Sequence, residues 1–202
     1  YAKNIVDNGL NGFVFDLFIQ NKFIYKLKIK QPGVHLIPCI LASIAIGNYL
    51  QIVPEKIKKA LENFLLNDRL QIISKKNNLT IIDDTYNSSP SSLIGALTLL
   101  GKSTNYKIAI LGDMKELGKT TKRNHINVGK IAAKNADEII CLGQDAKDIY
   151  ISSKHNTNLK VSHFYKSEQL LSYFSKQQFR NSTILIKGSR ALKMENIVSQ
   201  IK

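Results

Sequence analysis

Two carboxylates, Asp83 and Asp84, directly follow an apolar and β-branched run at 79–82, and they precede the turn-forming residues Tyr86 and Asn87. The run is short and uncharged, as in a strand that is covered on both faces. Open α/β sheets bind their ligands at the carboxyl ends of such strands, so this turn is a candidate binding site. The spacing alone also allows a polar connection without a ligand, because asparagine and serine are ordinary turn residues.

A second candidate site follows the apolar run at 108–111. It contains Asp113 and Glu116 in a turn, with His125 on the helix that comes next. Three ionisable groups close to one strand end could form an active site. The alternative, which the spacing leaves open, is that the carboxylates cap the turn and the histidine lies on a helix face.

A third candidate follows the run at 184–186 and consists of Lys187, Gly188, Ser189 and Arg190. The glycine permits a tight turn, and the start of the next helix offers backbone N–H groups to an anion, beside two cations. We interpret this segment as a cradle for a carboxylate or a phosphate. It is not a Walker loop, because the chain contains no G-x-x-x-x-G-K-[ST] sequence, and it contains no G-x-G-x-x-G either.

The elements that carry these turns alternate between strands and helices. We predict strands at 79–84, 107–112, 138–143, 160–164 and 182–188, and helices at 91–100, 121–136, 145–152, 167–177 and 190–201. Such alternation predicts an α/β fold with a mostly parallel, doubly wound, Rossmann-like sheet. Asp84, Asp113 and Lys187 should then lie at the carboxyl ends of their strands.

The first part of the chain has a different pattern. Alternating residues at 4–30 predict paired strands, an apolar helix follows at 34–50, and a second helix begins at 54. We predict a closing strand at 70–73 and a linker at 75–78. The predicted domains are therefore residues 1–77 and 78–202.

Charge is the most unusual feature of the composition. The 202 residues include 29 lysines and arginines against 15 aspartates and glutamates, which gives a formal net charge of +14. A basic protein can bind nucleic acid. The lysines are scattered, however, and there is no basic helix face or aromatic stacking strand, so we favour a solvated lysine-rich surface and no nucleic-acid partner. A non-enzymatic module that binds nucleic acid is the alternative.

Three further features bear on location. No window reaches the ~18 uninterrupted apolar residues of a membrane span, and the start lacks the pattern of a secretory signal peptide. Cys39 and Cys141 are isolated in apolar contexts, which is typical of reduced thiols in a cytoplasmic protein. Because the chain begins at Tyr1 rather than Met, we expect it to be a piece of a longer protein.

Five segments resemble, in order, the motifs of one family. The turn DDTYNSSPSS at 83–92 resembles the DDSYNANP turn of the Mur ligases, which are ATP-dependent amino-acid ligases of peptidoglycan synthesis. ILGDMKELG at 110–118 and ILIKGSRALKMENIV at 184–198 resemble the GDMxELG and LVKGSRxxxME.V segments of the ligase that adds D-alanyl-D-alanine. Residues 33–35 resemble the start of a GxHNxxNxLAA segment, and 68–70 resemble a strand that contains GR. A folylpolyglutamate synthase relative is another possibility, against which KGSR and GDMxELG argue.

The resemblance implies a fold and a reaction. Mur ligases have a UDP-sugar domain, a central ATPase domain and a Rossmann-like C-terminal domain, and this chain resembles the tail of the second joined to all of the third. The reaction activates the carboxylate of UDP-N-acetylmuramoyl-tripeptide with ATP and Mg²⁺ to an acyl phosphate, which the amine of D-alanyl-D-alanine attacks. The phosphate loop and the magnesium-binding residues would precede Tyr1. We therefore expect this chain alone to be inactive and to work with an upstream half, in the same polypeptide or separately encoded.

The matched positions imply roles for ten residues and no catalytic or metal-binding residue. The residues implied on the nucleotide side are His35, Arg69, Asp84, Tyr86 and Asn87. Those implied on the substrate side are Lys187, Ser189, Arg190, Asp113 and His125. The sequence departs from the family where Leu36 and Cys39 replace asparagines, Asp68 replaces glycine and Ser89 replaces asparagine. The first two asparagines usually face the nucleotide base, so the resemblance does not extend to the adenine contacts.

Overall fold

A computed structural model describes residues 1–67, 69–154 and 159–201 of the chain. The chain divides into two units, Tyr1–Leu66 and Asn67–Lys202. The predicted boundary after residue 77 places Arg69 in the first domain, whereas the observed division places it in the second unit.

The predicted linker at 75–78 is wrong, and it is instead the turn of a hairpin. Strand β4 (Gln71–Lys75) pairs antiparallel with β5 (Leu79–Asp83) along its whole length. Asn77 and Asn78 both have positive φ, at 60° and 54°, which asparagine tolerates better than most residues and which a tight hairpin turn requires. The strand predicted at 70–73 therefore belongs to the sheet of the second unit.

The first unit combines a three-stranded sheet with two helices. Strands β1 (Ala2–Asp7), β2 (Phe13–Ile19) and β3 (Lys22–Ile29) are antiparallel, in the order β1-β2-β3. Helix α1 (Ile37–Tyr49) and helix α2 (Pro54–Asn63) follow. The buried side chains of the helices and the sheet form one hydrophobic cluster, which consists of Phe13, Phe15, Leu17, Leu27, Ile29, Ile37, Ile40, Ile44 and Ile57.

The second unit is built on a six-stranded sheet with the strand order β4-β5-β9-β6-β7-β8. The further strands are β6 (Tyr106–Gly112), β7 (Glu138–Leu142), β8 (Lys160–Phe164) and β9 (Ser182–Lys187). Every neighbouring pair is parallel except β4 and β5, which confirms the predicted mostly parallel α/β fold. The helices are α3 (Pro90–Leu100), α4 (Thr121–Asn135), α5 (Lys147–Ser153), α6 (Ser167–Phe174) and α7 (Glu195–Gln200).

The helix predicted at 190–201 is interrupted. Residues Arg190–Leu192 form a single 3-10 turn, and Lys193 then adopts the left-handed conformation (φ 47°) before α7 begins. The interruption leaves Met194 fully buried. Its sulfur occupies the space that a side chain at Gly112 or Gly188 would need, at the ends of β6 and β9.

Three neighbouring strands bring the predicted turns to one edge of the sheet. Asp84 follows β5, Lys187 ends β9 and Asp113 follows β6, which confirms that all three lie at carboxyl ends. Two glycines allow the close approach, because a Cβ at Gly112 would lie only 3.1 Å from the Cα of Gly188. Among the described residues, no helix is both long enough and apolar enough to cross a membrane.

Candidate functional site

The centre of the carboxyl edge is a buried ion pair between Lys187 and Asp84. The Lys187 Nζ lies 2.5 Å from Asp84 Oδ2 and donates a second hydrogen bond to the backbone carbonyl of Asn87, at 2.8 Å. The Lys187 side chain has no exposed surface, and that of Asp84 is 7% exposed. The other carboxylate oxygen of Asp84 accepts from the backbone N–H of Leu70 at 3.3 Å. One lysine thus ties together the turns that follow β5 and β9.

Burial and the ion pair with Asp84 act on the pKa of Lys187 in opposite directions. Burial lowers the pKa of Lys187 below the ordinary value for lysine, and the positive charge of Arg69 lowers it further. The charge and the hydrogen bond of Asp84 act in the opposite direction. Since removing one partner of a buried pair costs about 3–5 kcal/mol, this contact fixes the geometry of the edge.

Tyr86 lies in the turn that follows β5, and two guanidinium groups pack against its ring. The guanidinium carbon of Arg69 lies 4.9 Å from the centroid of the Tyr86 ring, and that of Arg190 lies 5.9 Å from it. Both distances are within the range of a cation–π contact. Arg190 also approaches Glu195, with 3.2 Å between Nη1 and Oε1. Tyr86 is 46% exposed, so this cluster faces solvent.

A recess with a volume of about 430 Å³ lies along α4, and a smaller one of about 250 Å³ lies beside Tyr86. The smaller recess is the one at the carboxyl edge. It is lined by Gln71, Asp83, Thr85, Tyr86, Arg190 and Glu195. Within it, Asp83 Oδ1 accepts hydrogen bonds from the backbone N–H and the hydroxyl of Thr85, at 3.1 and 2.8 Å.

The turn between Asp84 and α3 is organised by its own side chains. Asn87 Oδ1 accepts a hydrogen bond from the backbone N–H of Ser88 at 2.8 Å, so the side chain of Asn87 orders the turn. The backbone carbonyl of Asn87 separately accepts the hydrogen bond from Lys187. Ser89 is the N-cap of α3 and accepts from the backbone N–H of Ser92, with Pro90 at the first helical position. The capping role that the sequence allowed for a serine in this turn is therefore present.

Asp113 is buried and binds two neighbouring segments of the chain. It is 2% exposed, its Oδ1 accepts the backbone N–H of Ala146 at 2.7 Å, and its Oδ2 pairs with Lys115 at 2.9 Å. Lys115 also binds Asp145 at 2.8 Å, and these two contacts, that with Asp145 first, raise the pKa of Lys115. A side chain at Gly143, where φ is 115°, would overlap the Asp113 carboxylate. Both Asp113 oxygens therefore order the neighbouring loops, and a substrate contact of Asp113 stays a prediction.

His125 is also held by contacts within the protein. The ring is fully buried, its Nε2 accepts the backbone N–H of Met114 at 3.1 Å, and its Nδ1 donates to the carbonyl of Thr121 at 2.7 Å. Both ring nitrogens are thus used within the protein, and a substrate contact of His125 stays a prediction. His125 fixes the turn after β6 against α4, as the alternative interpretation of the sequence allowed.

The remaining predicted residues are differently placed. Ser189 is 3% exposed and donates its backbone N–H to the carbonyl of Asp113 at 2.9 Å, while its hydroxyl has no hydrogen-bond partner among the described residues. Arg190 is exposed beside the recess. His35 is an exposed residue of the first unit, in a 3-10 turn at Val34–Leu36. Asp68, which replaces the glycine of the family, lies outside the described residues.

The structure also adds residues that the sequence did not single out. Gln71, Asp83, Thr85 and Glu195 line the recess beside Tyr86. Glu195 could have been noticed from the KMEN segment that follows KGSR. Gln71 could not, because its strand was assigned to the wrong part of the chain. Among the described residues, no three His, Cys, Asp or Glu side chains converge as a metal site would require.

Comparison with known proteins identifies the family. Residues 68–190 match the family model described as "Mur ligase, glutamate ligase domain". A UDP-N-acetylmuramoyl-tripeptide–D-alanyl-D-alanine ligase of Buchnera aphidicola is 36% identical over 205 residues, which cover 100% of this chain and 43% of that protein. The ligase of the same name from Escherichia coli is 30% identical over 177 residues, which cover 85% of this chain and 38% of that protein.

Solved structures agree with the sequence relatives. The crystal structure of MurF from Acinetobacter baumannii superposes with a TM-score of 0.85 at 26% identity, covering 99% of this chain and 44% of that one. The MurF ligase of Thermotoga maritima in complex with ADP shares the fold, with a TM-score of 0.79 at 20% identity. The chain spans less than half the length of these relatives. It belongs to the Mur ligase family.

Proposed function

We propose that this chain is the C-terminal portion of a ligase that uses ATP to join D-alanyl-D-alanine to UDP-N-acetylmuramoyl-tripeptide. The observation that carries the proposal is the meeting of three motif turns on adjacent strands. Lys187 binds both Asp84 and Asn87, and the N–H of Ser189 binds the carbonyl of Asp113. Relatives that match 84–100% of this chain bear the name of that ligase, which supports the assignment.

On the nucleotide side, we assign Arg69, Asp84, Tyr86 and Asn87. Arg69 stacks on the exposed ring of Tyr86, from which its guanidinium group can reach a phosphate. Asp84 accepts from the backbone N–H of Leu70 and from Lys187, and since a carboxylate has roughly four acceptor sites, we assign it the hydroxyls of a ribose as further donors. Asn87 contributes by holding Lys187, and His35 is assigned to this side from its matched position alone.

On the substrate side, Arg190 is the residue that can touch a ligand directly. Lys187 and Ser189 are buried, and we assign them the role of holding the turn that presents Arg190. ATP would supply the phosphoryl group that activates the carboxylate, and Mg²⁺ would accompany it. We assign the metal ion to no residue of this chain.

The exposed surface of α1 supports a contact with the part of the ligase that precedes the matched region. No Asp, Glu, Lys or Arg occurs from Val34 to Pro54, and the exposed face of α1 carries several large apolar side chains. Ile46 is 60% exposed, Tyr49 87% and Leu50 60%. A contiguous exposed apolar patch on a helix is normally covered by a partner. The relatives are more than twice as long as this chain, and we propose that the polypeptide preceding the match in them covers this face.

The proposal includes a cytoplasmic location, which the two thiols support. Cys39 and Cys141 are free rather than bridged, as is common in a reducing compartment. Burial raises the pKa of the Cys141 thiol, so that this group is unreactive.

The experiment compares this chain alone with the same chain joined to the preceding part of the Escherichia coli ligase. The joined protein should form the UDP-N-acetylmuramoyl-pentapeptide from ATP and the two substrates. The chain alone should release phosphate at background, because it contains no phosphate loop to hold the β- and γ-phosphates. A folded joined protein that binds ADP but forms no pentapeptide would overturn the proposed function.

A further inference from the structure

The three-stranded sheet of the first unit has two faces with different surroundings. Three side chains of β2 belong to the hydrophobic cluster that α1 shares, namely Phe13, Phe15 and Leu17. Because side chains alternate along a strand, the residues next to them project to the opposite side, namely Val14, Asp16 and Phe18. Residues paired across antiparallel strands share a face, and the pairing adds Lys3, Val6, Phe23, Lys26 and Lys28. We call this side the outer face.

One end of the outer face is aromatic and the other is aliphatic. The Phe18 ring stacks on that of Tyr1 with 5.6 Å between the centroids, and Phe23 meets it edge-on at 5.8 Å. Phe23 at this end and Val6 at the other are each 56% exposed. Apolar side chains that lie exposed on one face and are bordered by polar groups mark an interaction surface.

The polar groups of the outer face are mainly ammonium groups. Lys3, Lys26 and Lys28 are all exposed. Asp16 is the only acidic side chain among the described residues of this face, and it is 9% exposed. Its Oδ2 accepts a hydrogen bond from Asn4 at 2.8 Å, and its Oδ1 lies 3.7 Å from Lys26 Nζ. The negative charge is therefore covered, and the outer face favours an anionic partner.

Two kinds of partner fit these residues less well than a membrane surface does. Single-stranded nucleic acid stacks its bases on open aromatic rings, whereas Phe18 is already stacked on Tyr1 and has Lys3 Nζ 5.2 Å from its ring centroid. A second copy of the chain would place its own lysines against these lysines. A bilayer surface suits both parts of the face, because apolar side chains enter the headgroup region while lysine stems carry their ammonium groups to lipid phosphates.

We propose that the outer face binds the surface of a membrane that contains anionic phospholipids. Phe23 and Val6 enter the headgroup region, and Lys3, Lys26 and Lys28 pair with lipid phosphates. Helix α1 packs on the other side of the sheet, so a partner that covers α1 does not cover the outer face. The proposed cytoplasmic location places the chain beside an anionic leaflet. Membrane binding goes beyond the ligase reaction and does not depend on it.

Sedimentation with vesicles tests the lysines, on the 202-residue chain and on the joined protein. Both should bind phosphatidylcholine mixed with phosphatidylglycerol, should be released by added salt, and should not bind phosphatidylcholine alone. Each lysine contributes roughly 1 kcal/mol at such a surface, so Lys3→Gln with Lys28→Gln should lower the partition coefficient about 25-fold. Lys56→Gln with Lys59→Gln, at exposed positions of α2, removes the same charge and should change the coefficient about twofold at most.

Phe23→Ser tests the apolar part of the outer face. It should weaken binding to the mixed vesicles about fivefold and leave the salt dependence unchanged, because it removes apolar burial and no charge. Tyr165→Ser, at an exposed aromatic position of the second unit, is the matched control and should have no effect. Circular dichroism confirms that each variant is folded.

Several results would overturn the membrane contact. They are no binding to the mixed vesicles, equal binding to phosphatidylcholine alone, or an equal loss in the α2 control pair. Binding by the 202-residue chain but not by the joined protein would also overturn it, because the preceding part would then cover the outer face. Binding of a fluorescent oligothymidine in place of vesicles would make the face a nucleic-acid surface. Failure of the proposed function looks different: the joined protein would bind vesicles and make no pentapeptide.

Discussion

The Lys187 ammonium and the Asp84 carboxylate form a buried ion pair between the carboxyl ends of two neighbouring parallel strands. Lys187 adds a hydrogen bond to the carbonyl of Asn87, one hundred residues away in the chain. The contact therefore sets the spacing of two turns that come from distant parts of the sequence. Its loss should affect stability first and ligand binding through the position of the turns.

Replacing Lys187 by Met should lower the free energy of unfolding by about 3–5 kcal/mol, because the Asp84 carboxylate would stay buried without its counter-charge. Urea unfolding followed by circular dichroism would measure the change. Lys147→Met, at an exposed position of α5, is the matched control. The double variant with Asp84→Asn should lose less stability than the sum of the two single variants. A Lys187→Met protein as stable as the control would contradict a buried pair.

The same lysine predicts a pH dependence of stability. The pKa of Lys187 is lowered in the folded state, chiefly by burial, so the unfolded chain binds more protons than the folded chain between that lowered pKa and 10.5. Stability due to this group therefore rises with pH across that window. The difference in unfolding free energy between wild type and Lys187→Met should widen as the pH rises towards 10.5. A difference that narrows would mean that Asp84 outweighs burial.

His125→Phe should destabilise the protein by about 1–3 kcal/mol, because the buried N–H of Met114 loses its acceptor. The KM values for ATP and for D-alanyl-D-alanine in the joined protein should stay within about twofold of wild type. Asn127→Ala, exposed on the same helix, controls for effects on α4. If the variant keeps its stability and its KM for either substrate rises tenfold, the histidine belongs to the site after all.

The positions of the strands that carry the site could be predicted from the sequence. Buried parallel strands appear as short apolar runs, and the polar residues that end them must lie at one edge of the sheet. Asp84, Asp113 and Lys187 were located in this way. The hairpin at 75–78 was not, because two lysines and two asparagines are equally typical of a linker, and only the pairing of β4 with β5 distinguishes the two.

The roles of individual polar residues could not be predicted, because their partners are distant in sequence. Asp113 binds Ala146, 33 positions later, and His125 accepts the N–H of Met114 across a turn. Both residues are of types that are common in active sites, but the contacts that the structure shows for them are with the protein itself. The division of the edge into buried supporting residues and the exposed cluster of Arg69, Tyr86 and Arg190 becomes visible only in the folded chain.

The central claim is that the edge has a nucleotide side at Asp84 and a dipeptide side at Arg190. Steady-state kinetics of the joined ligase, varying one substrate at a time, tests it most directly. Losing a charged hydrogen bond costs roughly 1.5–3 kcal/mol, which corresponds to a 10- to 150-fold change. Asp84→Asn should raise the KM for ATP by about that factor and that for D-alanyl-D-alanine much less, and Arg190→Gln should do the reverse. An unchanged KM for ATP in a folded Asp84→Asn protein, or the same pattern in both variants, would contradict the account.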